Sequence, residues 1–420
     1  MFASGIEFLS SLDLPGLIGV FWFFFLFEVP RYTLSTLAVG WRAVFERELP
    51  LPPPDLPVSI LMVGHNEGDV LERAVRALGE QTHRNLQIVV VEDGSTDDMA
   101  RVGARLQAMG AIHRFMSTGI RGGKAAALNL GLQLCDNEIV VVMDVDTSLD
   151  RDAVARIVAP LLADPGCGAV SGNLAVRNPD DSLLTKFQAI DYVSSISLGR
   201  QFAAMFDILM IVSGAFGAFR QSAIRRVGGW DVGPGDDSNI TTKLRRNGWS
   251  IAFAPAAWAL TDVPQAHAAY VRQRLRWNRS IVRNRLRKFA LVFDPRQGNF
   301  TLRDVVASLN VLWFQMGLTF AYFFFVIGLF IDYGSMAFSL IVAVHLLGIM
   351  GDLIEFSVAL IVLRRLPVYR LFPYVLGFTF FVSYYDRAIR MVAYLSELIF
   401  RDSYKDGFYP TKVRHAQDQF

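Results

Sequence analysis

The chain has 420 residues, 52% of them hydrophobic and 19% charged, which is too apolar and too sparsely charged for a disordered chain. Lys+Arg 41 against Asp+Glu 39 leaves a net charge of +2. That balance argues against a nucleic-acid partner, which calls for a strongly basic domain. Two cysteines, Cys135 and Cys167, exclude a disulfide scaffold and a cysteine-rich zinc site.

The apolar excess lies at the two ends. Residues 17–27 read LIGVFWFFFLF, and apolar character resumes past Glu28. The first 16 residues hold Glu7 and Asp13 and no Lys or Arg, whereas Arg31, Arg42 and Arg47 follow the apolar run. A secretory signal would carry its basic residues first. The positive-inside tendency predicts a membrane helix within 1–45, with its N-terminus outside and the following chain cytoplasmic.

Pro52, Pro53, Pro54 and Pro57 mark a boundary, and the texture then changes. Short apolar runs at 58–63, 87–91, 111–116 and 138–143 read as buried strands. Leu71, Ala74, Val75 and Leu78 recur at helical spacing, and 124–134 reads as another helix. Strands alternating with helices predict a parallel sheet with right-handed crossovers. In such sheets ligands bind at the carboxyl ends of the strands.

The conspicuous polar residues fall at those ends. Strand one leads into Gly64-His65-Asn66-Glu67, and strand two into Glu92-Asp93-Gly94-Ser95. Strand three is followed by Arg121-Gly122-Gly123-Lys124, and strand four by Asp144-Val145-Asp146. Each has a simpler reading alone: Asp93-Gly94-Ser95 as a turn and helix cap, Asp144 and Asp146 as strand-end caps. Gly122-Gly123-Lys124 is no phosphate-binding P-loop, because Thr118 and Ala125 break its pattern. Together the four describe one acidic crevice with a lysine beside it. Alternation puts Asp144 and Asp146 on one side of the sheet, where two carboxylates want a cation, and oxygen ligands suit Mg2+ or Mn2+.

Further along come Gly235-Asp236-Asp237, whose acids could favour a helix dipole or act as a base, and Gln273-Arg274-Leu275-Arg276-Trp277. The latter lies in a stretch with eight basic residues from Arg272 to Lys288, readable as a basic amphipathic helix on an anionic membrane surface. Residues 305–331, 336–363 and 371–399 are each long enough to cross about 30 Å of hydrocarbon. Arg364, Arg365 and Arg370 place the second connecting loop inside. By parity the tail lies outside, against which Arg401, Lys405, Lys412 and Arg414 speak. Asp352, Glu355, Asp386, Arg387 and Arg390 within the apolar stretches predict either a polar path for a growing glycan or pairing inside the membrane, such as Asp386 with an arginine of its own helix.

The ordered set of motifs over residues 57 to about 280 resembles the membrane-embedded, inverting family 2 glycosyltransferases, which include the cellulose, chitin and hyaluronan synthases and the nodulation oligochitin synthases. Two departures stand out. Val63-Gly64-His65 precedes the Asn-Glu pair, and Asp236-Asp237 replaces a Glu-Asp pair. The resemblance implies an α/β GT-A fold, a Rossmann-like mixed sheet with helices on both faces, joined to an α-helical transmembrane region. The implied organisation is a transmembrane helix in 1–45, a cytosolic GT-A domain at 57–264, interfacial helices at 265–303, about three transmembrane helices at 304–400, and a tail at 401–420. It implies an inner-membrane, multi-pass enzyme transferring sugar from a nucleotide sugar, with UDP expected, to a β-linked glycan.

Carried over by residue, Glu67 and Asp93 would hold the nucleoside and Lys124 the base or diphosphate. Asp144 and Asp146 would face nucleotide and metal, with Asp146 the direct ligand. Asp237, beside Asp236, would be the general base. Ser213 and Gly214 would sit near the acceptor. Gln273, Arg274, Arg276 and Trp277 would close over the site, with Trp277 stacked on the acceptor sugar and the arginines neutralising the diphosphate. A homo-oligomer or an export partner is compatible with so few spans. The alternatives are a glycolipid-forming transferase resembling glucosylceramide synthases, and a non-catalytic scaffold on the same fold.

Overall fold

The computed structural model describes residues 2–45, 48–363, 366–406 and 410. Arg47, Arg364, Arg365, Lys412 and Arg414 lie outside the described residues. Eight strands form one sheet: β1 (Val58–Gly64), β2 (Leu86–Glu92), β3 (Arg114–Ser117), β4 (Ile139–Asp144), β5 (Ser148–Leu149), β6 (Cys167–Val176), β7 (Phe216–Arg220) and β8 (Ser250–Thr261), in the order β3-β2-β1-β4-β7-β6-β8-β5. The first four strands are parallel. The other half departs from the all-parallel expectation. β7 runs antiparallel to both β4 and β6, and β5 to β8, while β6 and β8 are parallel. The sheet is therefore mixed.

β1 is buried along its whole length, which is why it reads as an unbroken apolar run. Alternate residues serve opposite faces. Ile60, Met62, Val90, Val141 and Met143 pack with Leu71, Val75, Met99 and Ile157 from the helices Gly68–Leu78, Met99–Ala108 and Ala153–Ala163. Leu61, Val63, Val89, Val91 and Val142 pack on the other face with Leu128 of helix Lys124–Leu132 and with Ile240 and Leu244 of helix Asp236–Arg246. Each such side chain contributes roughly 1.5–3 kcal/mol on burial. Cys135 and Cys167 are buried free thiols.

Register sets the active edge. Gly64 lies opposite Glu92, and Val63 opposite Asp144, so three strands end level. β7 starts where β4 stops, with Met143 opposite Phe216, and this delivers Ser213-Gly214-Ala215 to the end of β4. The Asp144 amide donates to the Ala215 carbonyl at 3.3 Å.

After β8 the helix His267–Val282 lies against the last helix, Arg387–Phe400. Val20, Phe21, Phe23 and Phe24 pack on Leu318, Tyr322, Phe325, Leu329 and Leu340 in a separate apolar cluster. The helical run Leu302–Leu363 is long and apolar enough to cross a membrane. Gly334 (φ +54) interrupts its helical backbone, and 17% of its apolar window is buried, so most of that surface faces away from the protein. Leu14–Val20 and Phe24–Phe45 pass the same test only as a pair bent by 89°.

Candidate active site

The site is assembled from loops that brace one another. Asn66 takes φ +61, an uncommon backbone for a residue with a side chain. It is held there by the strand-two loop. Its amide donates to Ser95 Oγ at 3.0 Å, its Oδ1 accepts from the Thr96 amide at 2.7 Å, and His65 Nδ1 lies 2.9 Å from the Asp93 carbonyl. Asp97 Oδ2 accepts from the Gly68 amide at 2.9 Å, at the start of the helix Gly68–Leu78. This bracing leaves Glu67 bordering the central cavity.

Asp93 is 3% exposed, and its two oxygens accept from the amides of Gly122 (2.7 Å) and Gly123 (2.8 Å). It thus pins the loop that presents Lys124. Lys124 Nζ donates to Asp144 and, at 3.3 Å, to the Gly214 carbonyl. Burial works against its charge, but Asp144, then Asp236, raise its pKa above the ordinary value.

The carboxylates crowd. Glu67 is pushed up to about 8, first by burial, then by Asp146 and Asp144. Asp146 is raised by burial and then by Asp144. Asp236 and Asp237 open the helix Asp236–Arg246. Asp237 is pushed up to about 6 by burial and then by Asp236, with its Oδ1 accepting from the Ser238 amide at 2.8 Å. Asp236 is raised too, chiefly by burial. The donor chemistry of Asp144, Asp146 and Glu67 suits a hard divalent cation, since all three offer carboxylate oxygens. Among the described residues no three His, Cys, Asp or Glu side chains form a cation cage. A cation here would complete its shell with ligand oxygens and water, as Mg2+ commonly does.

Helix His267–Val282 closes the site from above the strand ends. Gln273, Arg276 and Trp277 border the cavity, with Trp277 39% exposed and Gln273 Oε1 buried without a hydrogen-bond partner among the described residues. Arg274 also borders it but is paired with Asp191 at 2.8 Å and lies over the rings of Tyr270 and Trp277. Its charge is thus paired within the protein. Ser213 is buried, and its amide donates to Ser171 Oγ at 3.2 Å.

All thirteen residues singled out from the sequence thus border one cavity of about 1240 Å3. The cavity does not stop at the sheet. It continues between the apolar helices past Glu28, Arg31, Asp352, Glu355, Arg387 and Arg390. Arg387 pairs with Glu28, and Asp352 accepts from Thr379. Asp386 pairs with Arg390 of its own helix at 2.6 Å and accepts from Tyr270 OH at 2.9 Å. Asp191, Tyr270 and Arg200 were not among the expected residues. Nothing local marks them, because their partners lie far away in the chain.

A mixed sheet with acids level at the ends of its parallel strands, and a second acidic pair on a helix facing them, defines a GT-A glycosyltransferase. Residues 53–280 match glycosyltransferase-like family 2, and the chain belongs to that family. It is 28% identical over 257 residues to the poly-beta-1,6-N-acetyl-D-glucosamine synthase of Staphylococcus aureus (strain MSSA476), a match covering 61% of this chain and 62% of that one. It is 25% identical over 311 residues to the synthase of the same name from Staphylococcus epidermidis, covering 73% and 75%. The chain therefore spans about 62% of the length of the S. aureus relative. A solved mannosyltransferase from Pyrobaculum calidifontis, in complex with GDP-Man and Mn2+, shares the fold with a TM-score of 0.57 at 21% identity, covering 90% of this chain and 99% of that one.

Proposed function

We propose that this glycosyltransferase is embedded in the inner membrane and transfers sugar, with inversion, from a UDP-linked donor to a growing β-linked glycan. The product leaves along the cavity between the helices. The names of the two staphylococcal relatives make N-acetylglucosamine the first sugar to test. The observation that carries this reading is the continuity of one cavity from the Asp144–Asp237 region into the polar-lined space between apolar helices.

In this reading residues 1–45 form one transmembrane unit, 57–264 the cytoplasmic catalytic domain, 265–303 the interfacial helices, and 304–400 about three further membrane helices, with 401–420 as a tail. Glu67 and Asp93 hold the nucleoside, Asp93 acting through the Gly122–Gly123 amides. Lys124, Arg276 and Gln273 hold the diphosphate. Asp146 and Asp144 would hold a Mg2+ or Mn2+ ion, which would supply positive charge for the departing diphosphate. The acceptor sugar stacks on Trp277 beside Ser213 and Gly214. Asp237 takes the proton from its hydroxyl, Asp236 keeping that carboxyl basic. The hydroxyl oxygen bonds to the anomeric carbon as the bond to UDP breaks, and in-line attack inverts the centre. A homo-oligomer or an export partner could complete the path.

The test is a donor panel on the purified chain in nanodiscs: UDP-N-acetylglucosamine, UDP-glucose, UDP-galactose, UDP-glucuronate and GDP-mannose, with Mg2+ or Mn2+. Nucleotide release with a ladder of glycans supports the proposal. Release with a single sugar added to a lipid replaces it with the glycolipid-forming reading. No release from any donor sinks it.

A further inference from the structure

One cation on the cavity wall beside Asp237 has little to hold within the protein. Arg200, on the helix Gly199–Met205, is half-buried and borders the cavity together with Ser213, Gly214 and Asp237. A guanidinium carries five N–H donors. Arg200 uses one, from Nη1 to Ser171 Oγ at 3.1 Å, and among the described residues it makes no ion pair and no ring contact. Burial draws its pKa below the ordinary value, with Asp237 opposing.

The neighbouring arginines are different. Arg274 is paired with Asp191. Arg285 also borders the cavity without a carboxylate partner among the described residues, but it donates to Thr242 Oγ1 at 2.6 Å and to the Met210 carbonyl at 3.2 Å, so it builds the loop before Ser213. Arg200 builds almost nothing. Unused guanidinium donors on a cavity wall are open to the oxygens of a guest. Its one anchor is informative: Ser171 Oγ also accepts from the Ser213 amide at 3.2 Å, so Arg200 and the Ser213–Gly214 loop share one support.

We propose that Arg200 is an acceptor-binding residue, its guanidinium donating to hydroxyl or acyl oxygens of the acceptor sugar and holding the attacking hydroxyl in front of Asp237. This rests on the transfer reaction proposed above. The bond-making step is unchanged; Arg200 supplies orientation, and orientation of a bound nucleophile accounts for much of the advantage over free water.

The test separates transfer from hydrolysis of the donor, in which water replaces the acceptor sugar. The full chain in nanodiscs is given UDP-N-acetylglucosamine with and without a β-linked N-acetylglucosamine tetrasaccharide. Arg200→Gln and Arg200→Lys are compared with wild type, and UDP-dependent thermal shift checks the fold. In Arg200→Gln the acceptor KM is expected to rise about tenfold or more, since a charged donor is lost. The ratio of transfer to hydrolysis falls with it, and Arg200→Lys regains part. Parallel loss of both reactions, with a displaced acid limb, would overturn the proposal in favour of a role in tuning Asp237. Unchanged acceptor KM would also overturn it. If Arg200→Gln fails to fold, Arg200→Lys alone decides, by the same ratio. A wild type that neither hydrolyses nor transfers refutes the underlying reaction, an outcome distinct from a selective failure of the variants.

Discussion

Arg274 Nη2 lies 2.8 Å from Asp191 Oδ2, joining two helical segments 83 residues apart. The same guanidinium sits 5.0 Å from the ring centre of Tyr270 and 4.9 Å from that of Trp277. Tyr270 OH in turn donates to Asp386, which pairs with Arg390. The helix His267–Val282 is therefore pinned on one side to the catalytic domain and on the other to the last helix of the chain. The position of Trp277 over the cavity depends on both.

Breaking the pair from either side leaves one charge buried and uncompensated, which costs about 3–5 kcal/mol. Arg274→Ala and Asp191→Ala should each lower the thermal midpoint in detergent. The combined Asp191→Asn/Arg274→Gln variant should lose less than the two single neutral substitutions added together. A double-mutant cycle reads the coupling, expected at about 0.5–3 kcal/mol. Strict additivity would mean that the pair holds nothing.

Asp237 gives a pH signature. Its carboxyl is pushed up to about 6 by burial and by Asp236, and a base must be ionised to work. The rate of transfer should fall as the pH drops through about 6, and Asp237→Asn should lose about 100- to 10,000-fold in kcat. The stability effect has the opposite sign. The folded protein holds this proton more tightly than the unfolded chain, so ionising Asp237 weakens the fold as pH rises from the ordinary carboxyl range through about 6. Asp237→Asn should therefore raise the thermal midpoint at pH 7.5 and leave it little changed at pH 4. A variant with wild-type turnover removes Asp237 as the base.

Much of this was legible because buried parallel strands write themselves as apolar runs ending in turn residues. Val58–Gly64 and Leu86–Glu92 are of this kind, and the acids follow directly. β6 and β8 were harder. Gly168, Ser171, Gly172 and Asn173 interrupt the first, and Pro255 the second, so neither shows a clean run or alternation. β7, the antiparallel neighbour of β6, is only five residues long. What sequence cannot express is partnership at a distance. Asp191 looks like an ordinary helix acid, and nothing near Asp93 in sequence shows that its oxygens also accept from the Gly122 and Gly123 amides. Asp386 is the converse: the pairing with an arginine on its own helix was readable from spacing alone.

The acids around Asp146 predict cation dependence. Burial raises Glu67 and Asp146, with Asp146 and Asp144 adding to the first and Asp144 to the second, so a divalent cation that binds among these carboxylates should strengthen nucleotide binding. Chelation should abolish nucleotide release, with Mg2+ or Mn2+ restoring it. Asp146→Asn should lose most activity, and its UDP affinity should no longer respond to added Mn2+. Titration of UDP by calorimetry, with and without the cation, measures this directly. A UDP affinity indifferent to Mn2+ in the wild type would mean that these carboxylates serve another purpose.

Two glycines test how closely the loops must approach. A Cβ at Gly94, where φ is +64, would lie 2.2 Å from the Arg121 backbone nitrogen, a clash that no side-chain movement relieves. Gly94→Ala should therefore disturb the Asp93 clamp on Gly122 and Gly123 and lower stability and activity together, the backbone strain alone costing about 1–3 kcal/mol. A Cβ at Gly214 would meet Lys124 Nζ at 3.3 Å, with Asp237 Cβ at 3.8 Å and Lys124 Cε at 4.0 Å in ordinary contact. A flexible lysine can yield by a few tenths of an ångström, so Gly214→Ala should fold as wild type. The displaced ammonium would lose its alignment with Asp144 and with the Gly214 carbonyl, and kcat should fall by about tenfold while the thermal midpoint holds. The pair of variants thus separates a glycine required by the backbone from one required by the reaction. Equal effects on stability would show that Lys124, like Asp93, is part of the scaffold.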